Sequence, residues 1–174
     1  MTMKVSDLKY IAPNITQERL SVFFPLLNQY MHEYNICGKL RESAFIATIM
    51  HETGSLRWLE ELASGEAYEG RNDLGNVVKG DGRKYKGRGL IMLTGRANYE
   101  RASKALTIDL LNNPEQLTTP KIATLVACWW WHDRGLNEIA DSGDFRRVTR
   151  IVNGGYTGMS DRQKFYDRAI EILK

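Results

Sequence analysis

Apolar residues recur along much of this chain at helical spacing. Leu20, Phe23, Phe24, Leu27, Tyr30 and Met31 follow the i, i+3, i+4, i+7 rule, which predicts an amphipathic helix over 16–34. Asn14 or Thr16 can cap it, with Gln17 at the capping-box distance from Asn14. Pro25 lies inside it and should kink or split it. Residues 1–13 read as a short irregular lead-in ending at Pro13. After a break at Asn35 to Gly38, the run Ala44-Phe45-Ile46-Ala47-Thr48-Ile49-Met50 predicts a helix over about 40–51. It is apolar nearly all round, so it should be packed on several sides.

From Ala63 to Gly95 the pattern changes. Glycines at 65, 70, 75, 80, 82, 87, 89 and 95 alternate with Arg, Lys, Asp and Asn. Tyr68, Leu74, Val77, Val78 and Tyr85 are expected to anchor this stretch as an ordered loop system, and loops of this length in compact domains are usually functional. Leu90-Ile91-Met92-Leu93-Thr94 is the best candidate for extended structure, with Leu90, Met92 and Thr94 on one face. Helical spacing returns over 96–106 and is followed by a turn at Asn112-Asn113-Pro114. Pro120 can open a helix over 120–133 that Gly135 stops. Ser142 or Asp144 caps a helix over 144–152, which Gly154-Gly155 ends. Ser160 is expected to cap the last helix, 161–173, with Phe165, Tyr166, Ala169, Ile170 and Leu173 as its core face. The predicted class is mainly α, with little or no β-structure. The chain is expected to form a single domain over 1–174, with 1–39 as an N-terminal helical part and 40–174 as its core.

Composition narrows the partners. An apolar content of 43% over 174 residues supports a real core, and no apolar run approaches the roughly 20 residues that span a bilayer. The first residues lack the apolar stretch of a secretory signal, so residence in a cytoplasm is expected, with no stable membrane association. Cys37 and Cys128 lie far apart without a CxxC, and are expected to be buried thiols. The net charge of +3 leans toward an anionic partner such as an acidic wall polymer, but carries no nucleic-acid signature.

The candidate chemistry centres on His51-Glu52-Thr53-Gly54 and on Glu60-Glu61. On one continuous helix Glu52 and Glu61 would be separated by about 13.5 Å of rise and half a turn, and would never face one substrate. Gly54 can end the helix and let 55–62 turn back. Only then can the two carboxylates reach the roughly 6.5–9.5 Å of an inverting glycosidase pair. Glu52, behind an apolar helix, suits a general acid; Glu61, in a polar loop, suits the base that activates water, and a hydroxyl such as Thr94 can hold that water. On spacing alone Glu60 remains an alternative to Glu61. His51-Glu52 begins like HExxH, but Ser55 stands where the second histidine ligand would be, so no metal or other cofactor is expected. His32 and His132 are isolated. Trp129, Trp130 and Trp131 point about 100° apart on a helix, so one or two should be core and the third can edge the substrate site.

The ordered set His51-Glu52-Thr53-Gly54, Leu59-Glu60-Glu61, Ala67-Tyr68-Glu69-Gly70-Arg71, Gly80-Asp81-Gly82, Tyr85-Lys86-Gly87-Arg88-Gly89-Leu90-Ile91, Leu93-Thr94-Gly95-Arg96-Ala97-Asn98-Tyr99 and Ile151-Val152-Asn153-Gly154-Gly155 resembles glycoside hydrolase family 19. That family comprises the plant-type chitinases and, more similar still, compact phage and bacterial endolysins. The resemblance implies a lysozyme-like, two-lobed helical fold with a substrate cleft, and metal-free inverting hydrolysis. It places Glu52 as acid, Glu61 as base and Thr94 as the residue that helps position water. It also implies substrate binding by Tyr68, Glu69, Arg71 and Asn153, with His51 and Arg162 in support. Met92 stands where the family usually has Gln, and the loop after Glu61 is short, implying a more open cleft.

These readings lead to the expectation of a monomeric endolysin that cuts peptidoglycan glycan strands. It would act on the periplasmic wall after holin-dependent release and have no nucleic-acid partner. A chitinase, a lytic transglycosylase and a non-catalytic wall-binding protein are the alternatives.

Overall fold

The computed structural model describes residues 3–174. Its helices are α1 (Val5–Ile11), α2 (Gln17–Glu33), α3 (Lys39–Thr53), α4 (Asp81–Lys84), α5 (Arg96–Leu106), α6 (Pro120–Asp133), α7 (Leu136–Asp141), α8 (Phe145–Asn153) and α9 (Met159–Ile172). Short 3-10 turns occupy Glu66–Tyr68, Asn72–Leu74 and Pro114–Thr118. Among the described residues there is no sheet, only the isolated antiparallel bridges Glu60–Arg88 and Arg88–Leu93. No helix among them is long and apolar enough to cross a membrane.

The chain divides into two compact units: residues up to Arg57 together with Cys128–Lys174, and Trp58–Ala127. α1 packs on α9 and α2, so the N-terminal helices belong to the same core as α3.

In the first unit α3 is the central element. Glu42 to Met50 are all buried, because α3 packs on α9, α7 and α8. Each fully buried Phe45, Ile46, Ile49 or Met50 side chain contributes about 1.5–3 kcal/mol. Phe45 meets Trp131 edge to face at 5.3 Å, and Phe145 stacks on Tyr166 at 4.3 Å. α3 ends where the sequence reading placed its break: Gly54 is left-handed at φ 56°, ψ 53°. Ser55 and Leu56 continue left-handed at φ 62° and 65°, which costs non-glycine residues about 1–2 kcal/mol each. The Thr53 hydroxyl holds the turn by accepting from Leu56 N at 2.8 Å, and burial of the Leu56 side chain offsets the strain.

Several expectations in this unit are corrected. Of the stretch 1–13, Met1 and Thr2 lie outside the described residues, and the rest is not simply irregular. Asp7 accepts from Lys4 N at 2.7 Å, and Leu8 and Ile11 are fully buried, which together make α1. Thr16, not Asn14, caps α2 by accepting from Arg19 N. α2 runs through Pro25 unsplit: the missing N–H removes one ladder bond, while Phe23 and Leu27 on either side are fully buried. α7, not anticipated, starts just after the left-handed Gly135. Asp144 caps α8 through Arg147 N. α9 begins at Met159 behind a left-handed Gly158, so Ser160 lies inside it rather than capping it. Trp129, Trp130 and Trp131 are all buried, so all three, not just one or two, belong to the core. Arg134 covers Trp130, 3.9 Å above its ring. Both cysteines are free; Cys128 is buried and Cys37 only half-buried.

The second unit is an ordered loop system around α5 and the start of α6. Tyr85, Leu90, Leu93, Tyr99, Ala102, Leu117 and Val126 make its core. Tyr85 anchors the loops as expected, but Val77 and Val78 do not, being 70% and 54% exposed. The polar side chains of Asp81 and Asn76 take that part. Asp81, 2% exposed, accepts two hydrogen bonds from Arg96, at 2.6 and 2.8 Å. Asn76, wholly buried, donates to Tyr68 O and accepts from Arg96 N, both at 2.8 Å. Residues 90–94 are not a strand. Met92 is left-handed at φ 50°, and Arg88 and Leu93 exchange both backbone hydrogen bonds, closing a tight turn. Leu90 is therefore buried while Met92 is partly exposed, and they do not share a face.

Candidate active site

The residues singled out in the sequence fall into two groups, one in each unit. In the first, the last turn of α3 carries His51 and Glu52. Glu52 Oε1 accepts from Arg162 Nη2 at 2.5 Å; the arginine is 2% exposed and the Glu52 side chain 18%. Arg162 sits in the first turn of α9, and its Nε donates to Thr157 O at 3.2 Å. Its Nη1 is buried and makes no hydrogen bond among the described residues. An aligned, desolvated guanidinium on a carboxylate is a strong orienting contact, because leaving either partner buried alone is costly. The apolar run before Glu52 is thus only half of its environment; the other half is a cation from α9. His51 Nδ1 lies 2.7 Å from Asp161 Oδ2, so adjacent residues of α3 are tied to adjacent residues of α9. Gly158 is needed there, since a Cβ on it would collide with the His51 ring. Asn153 is exposed as the last residue of α8, immediately before the left-handed Gly154.

In the second group, residues 59–61 run beside 87–89. Glu61 N donates to Gly87 O at 3.0 Å and Gly89 N to Leu59 O at 2.8 Å. The Glu61 carboxylate accepts one hydrogen bond, from Tyr68 OH to Oε2 at 3.0 Å. Its Oε1 is buried and makes no hydrogen bond among the described residues. A Cβ on Gly87 would stand 2.7 Å from Glu61 Oε2 and 3.3 Å from Thr94 Oγ1, so carboxylate and hydroxyl flank one small space that only glycine leaves open. Thr94 Oγ1 donates to Met92 O at 2.9 Å, leaving its lone pairs for another partner. Burial, and then the hydrogen bond to Glu61, push the Tyr68 phenol above its ordinary range, so it stays a donor at neutral pH.

Glu60 is differently placed. It lies 2.7 Å from Lys86 Nζ and 3.6 Å from Arg88 Nε. Burial pushes its carboxyl up, but the Lys86 hydrogen bond and the two cations outweigh this and hold it below the ordinary range. Glu69 spends its carboxylate on the loop: Oε1 accepts from Gly80 N at 2.6 Å and Oε2 from Gly82 N at 2.8 Å, holding it below the ordinary range. Arg71 pairs with Asp73 two residues on, on the surface.

Sequence reading did not assign site-shaping parts to Gly87, Asn76, Asp81, Arg96 or Asp161. Gly87 had a signal, in the closely spaced Gly87-Arg88-Gly89. Asn76 had none, because an asparagine among glycines reads as a turn residue.

A carboxylate held by a buried arginine, and a second one held by a phenol near a hydroxyl, are the parts of an acid–base hydrolase. The family model described as Chitinase class I, glycosyl hydrolase family 19, matches residues 42–141. This chain belongs to glycoside hydrolase family 19. A glycosyl hydrolase family 19 domain-containing protein of Haemophilus influenzae is 26% identical over 99% of this chain and 98% of its own length. The acidic endochitinase SP2 of Beta vulgaris is 30% identical over 79% of this chain but only 48% of its own, so this chain spans about half of that plant relative. In structure, chitinase C of Streptomyces griseus matches with a TM-score of 0.76 at 23% identity, over 97% of this chain and 76% of that one. A bacterial family 19 chitinase matches with a TM-score of 0.77 at 21% identity, over 98% and 94%. The fold is therefore the lysozyme-like, all-α fold of that family.

Proposed function

We propose that this chain hydrolyses the β-1,4 bond between N-acetylmuramic acid and N-acetylglucosamine in bacterial peptidoglycan, by a single displacement with inversion. Glu52 gives its proton to the leaving glycosidic oxygen as the bond to C1 breaks. Glu61 takes a proton from the water whose oxygen bonds C1 from the opposite face. Thr94 orients that water, Tyr68 fixes the Glu61 carboxylate and Arg162 fixes that of Glu52. Asn153 contacts the glycan. On this reading the protein is an endolysin, brought to the wall with a holin-like partner.

The observation that carries the mechanism is the Glu61 carboxylate, whose phenol-bonded Oε2 and the Thr94 hydroxyl both stand close over Gly87, while its buried Oε1 makes no hydrogen bond among the described residues. Purified protein incubated with sacculi tests it. Reducing-end muropeptides are expected, formed initially as the inverted anomer, and their loss in Glu52→Gln and Glu61→Gln. Products ending in 1,6-anhydro sugars, with turnover indifferent to Glu61→Gln, would instead mean a lytic transglycosylase, and retention without turnover a wall-binding protein. The plant relatives named as endochitinases favour a second reading, cleavage of chitin. Turnover of soluble chito-oligosaccharides with no release from sacculi would establish it.

A further inference from the structure

The outer face of α8 carries a charge pattern that the hydrolytic reading leaves unused. Arg146, Arg147 and Arg150 are all exposed, and none makes an ion pair among the described residues. The buried face of the same helix is Phe145, Val148 and Thr149. At about 100° per residue, Arg146, Arg150 and Asn153 fall within a wedge of about 60°, and they span about 10 Å along the helix. Just past the helix, Tyr156 is 41% exposed and the Arg146 guanidinium lies 4.2 Å above its ring. A stacked arginine keeps its charge while losing rotamer freedom, so less entropy is lost when it binds. The nearest acidic residue in sequence, Asp144, is already the cap of the helix.

Exposed arginines are often no more than a solvated face. Here two observations exceed that: none of the three forms an ion pair among the described residues, and one is held over an exposed aromatic ring. We propose that this face binds a glycan bearing free carboxylates, with Arg146 and Arg150 meeting the carboxylates and Tyr156 lying against a sugar ring. The glycan is peptidoglycan, whose pendant peptides carry such groups. This rests on the peptidoglycan reading above, extends it beyond the bond that is cut, and gives a charge-based reason for preferring that polymer to neutral chitin.

The test uses the full chain carrying Glu52→Gln, so that the polymer is not digested, and measures retention on purified sacculi. Retention is expected at about 0.05 M salt and release by about 0.5 M, as the screening length falls to a few ångströms. Arg146→Gln with Arg150→Gln is expected to weaken retention about tenfold, with an unchanged melting temperature because both residues are exposed. Sacculi whose carboxylates have been converted to neutral amides should bind parent and variant equally weakly. Equal retention of parent and variant on untreated sacculi, or undiminished binding to the amidated polymer, overturns the proposal. So does equal or tighter binding of the parent to phosphatidylglycerol vesicles, which would assign the face to a lipid surface. Muropeptide release by the unsubstituted chain is scored separately. Its absence, with salt-sensitive retention intact, removes the hydrolytic reading and leaves the surface; release without such retention removes the surface alone.

Discussion

Gly87→Ala should separate catalysis from folding. The added Cβ would lie 2.7 Å from Glu61 Oε2 and 3.3 Å from Thr94 Oγ1, where ordinary contact begins at 3.4 Å. The carboxylate must therefore retreat by about 0.7 Å, and the methyl fills the space that it shares with the hydroxyl. The colliding atom is the end of a flexible side chain and Gly87 is not among the left-handed glycines, so the backbone has no reason to object. Stability should fall by only about 1 kcal/mol. Turnover should fall by about 100-fold or more, because a displacement approaching 1 Å in a catalytic group costs on that order. Initial rates of muropeptide release, set beside the melting temperature of the same preparation, check both halves. A variant within about twofold of the parent rate would refute the placing of the attacking water over Gly87.

Two other substitutions probe the supports. Tyr68→Phe removes the only hydrogen bond to the Glu61 carboxylate among the described residues, and should lower kcat about tenfold while shifting the melting temperature little, since the phenol is half-buried. A kcat equal to the parent's would show that the phenol does not fix the carboxylate. Asp81→Asn breaks the Arg96 pair and should cost about 2–3 kcal/mol in denaturant unfolding, less than a fully buried pair because Arg96 is 30% exposed. Arg96 hydrogen bonds, acting against burial, hold the Asp81 carboxyl below its ordinary 3.8. Its stabilisation is therefore present above that pH and lost as pH falls through the lower folded value. The stability gap between parent and Asp81→Asn should be constant above about pH 5 and narrow below about pH 4; a gap that widens in acid would contradict the assignment.

What the sequence revealed and what it hid follow from the range of the interactions concerned. α2, α3, α5 and α6 were legible because their apolar spacing, caps and terminal glycines or prolines are local signals. The break after Glu52 was legible for the same reason, through Gly54. Contacts between residues far apart in the chain were not. Arg162 is 110 positions from Glu52, and only the packing of α9 along α3 brings them together. Likewise Leu90 to Thr94 have strand composition, yet the left-handed Met92 closes a turn that puts Leu93 opposite Arg88. Propensity yields there to the hydrogen bonds of a tight loop.

The choice between Glu60 and Glu61 is the clearest case, and it decides the mechanism. Spacing cannot distinguish two neighbouring glutamates. The structure distinguishes them because residues 59–61 lie extended against 87–89, with Glu60 bridged to Arg88. In an extended segment successive side chains point to opposite sides, so Glu60 and Glu61 must meet different environments. Glu60 meets Lys86 and Arg88, whose charges are already committed to it. Glu61 meets one phenol, and its second oxygen makes no hydrogen bond among the described residues. Glu61→Gln should therefore lower turnover by a factor of about 100 to 10,000, the loss expected for a general base. Glu60→Gln should keep turnover within a few-fold and lower stability by about 0.5–1 kcal/mol, a modest figure because its side chain is 40% exposed and the pair is screened. Because its carboxyl is held below the ordinary 4.5, that stability difference should persist at neutral pH and close as pH falls below about 4. Equal losses of turnover in the two variants would mean that the extended pairing does not sort these side chains, and the base would have to be sought in the pair rather than in Glu61.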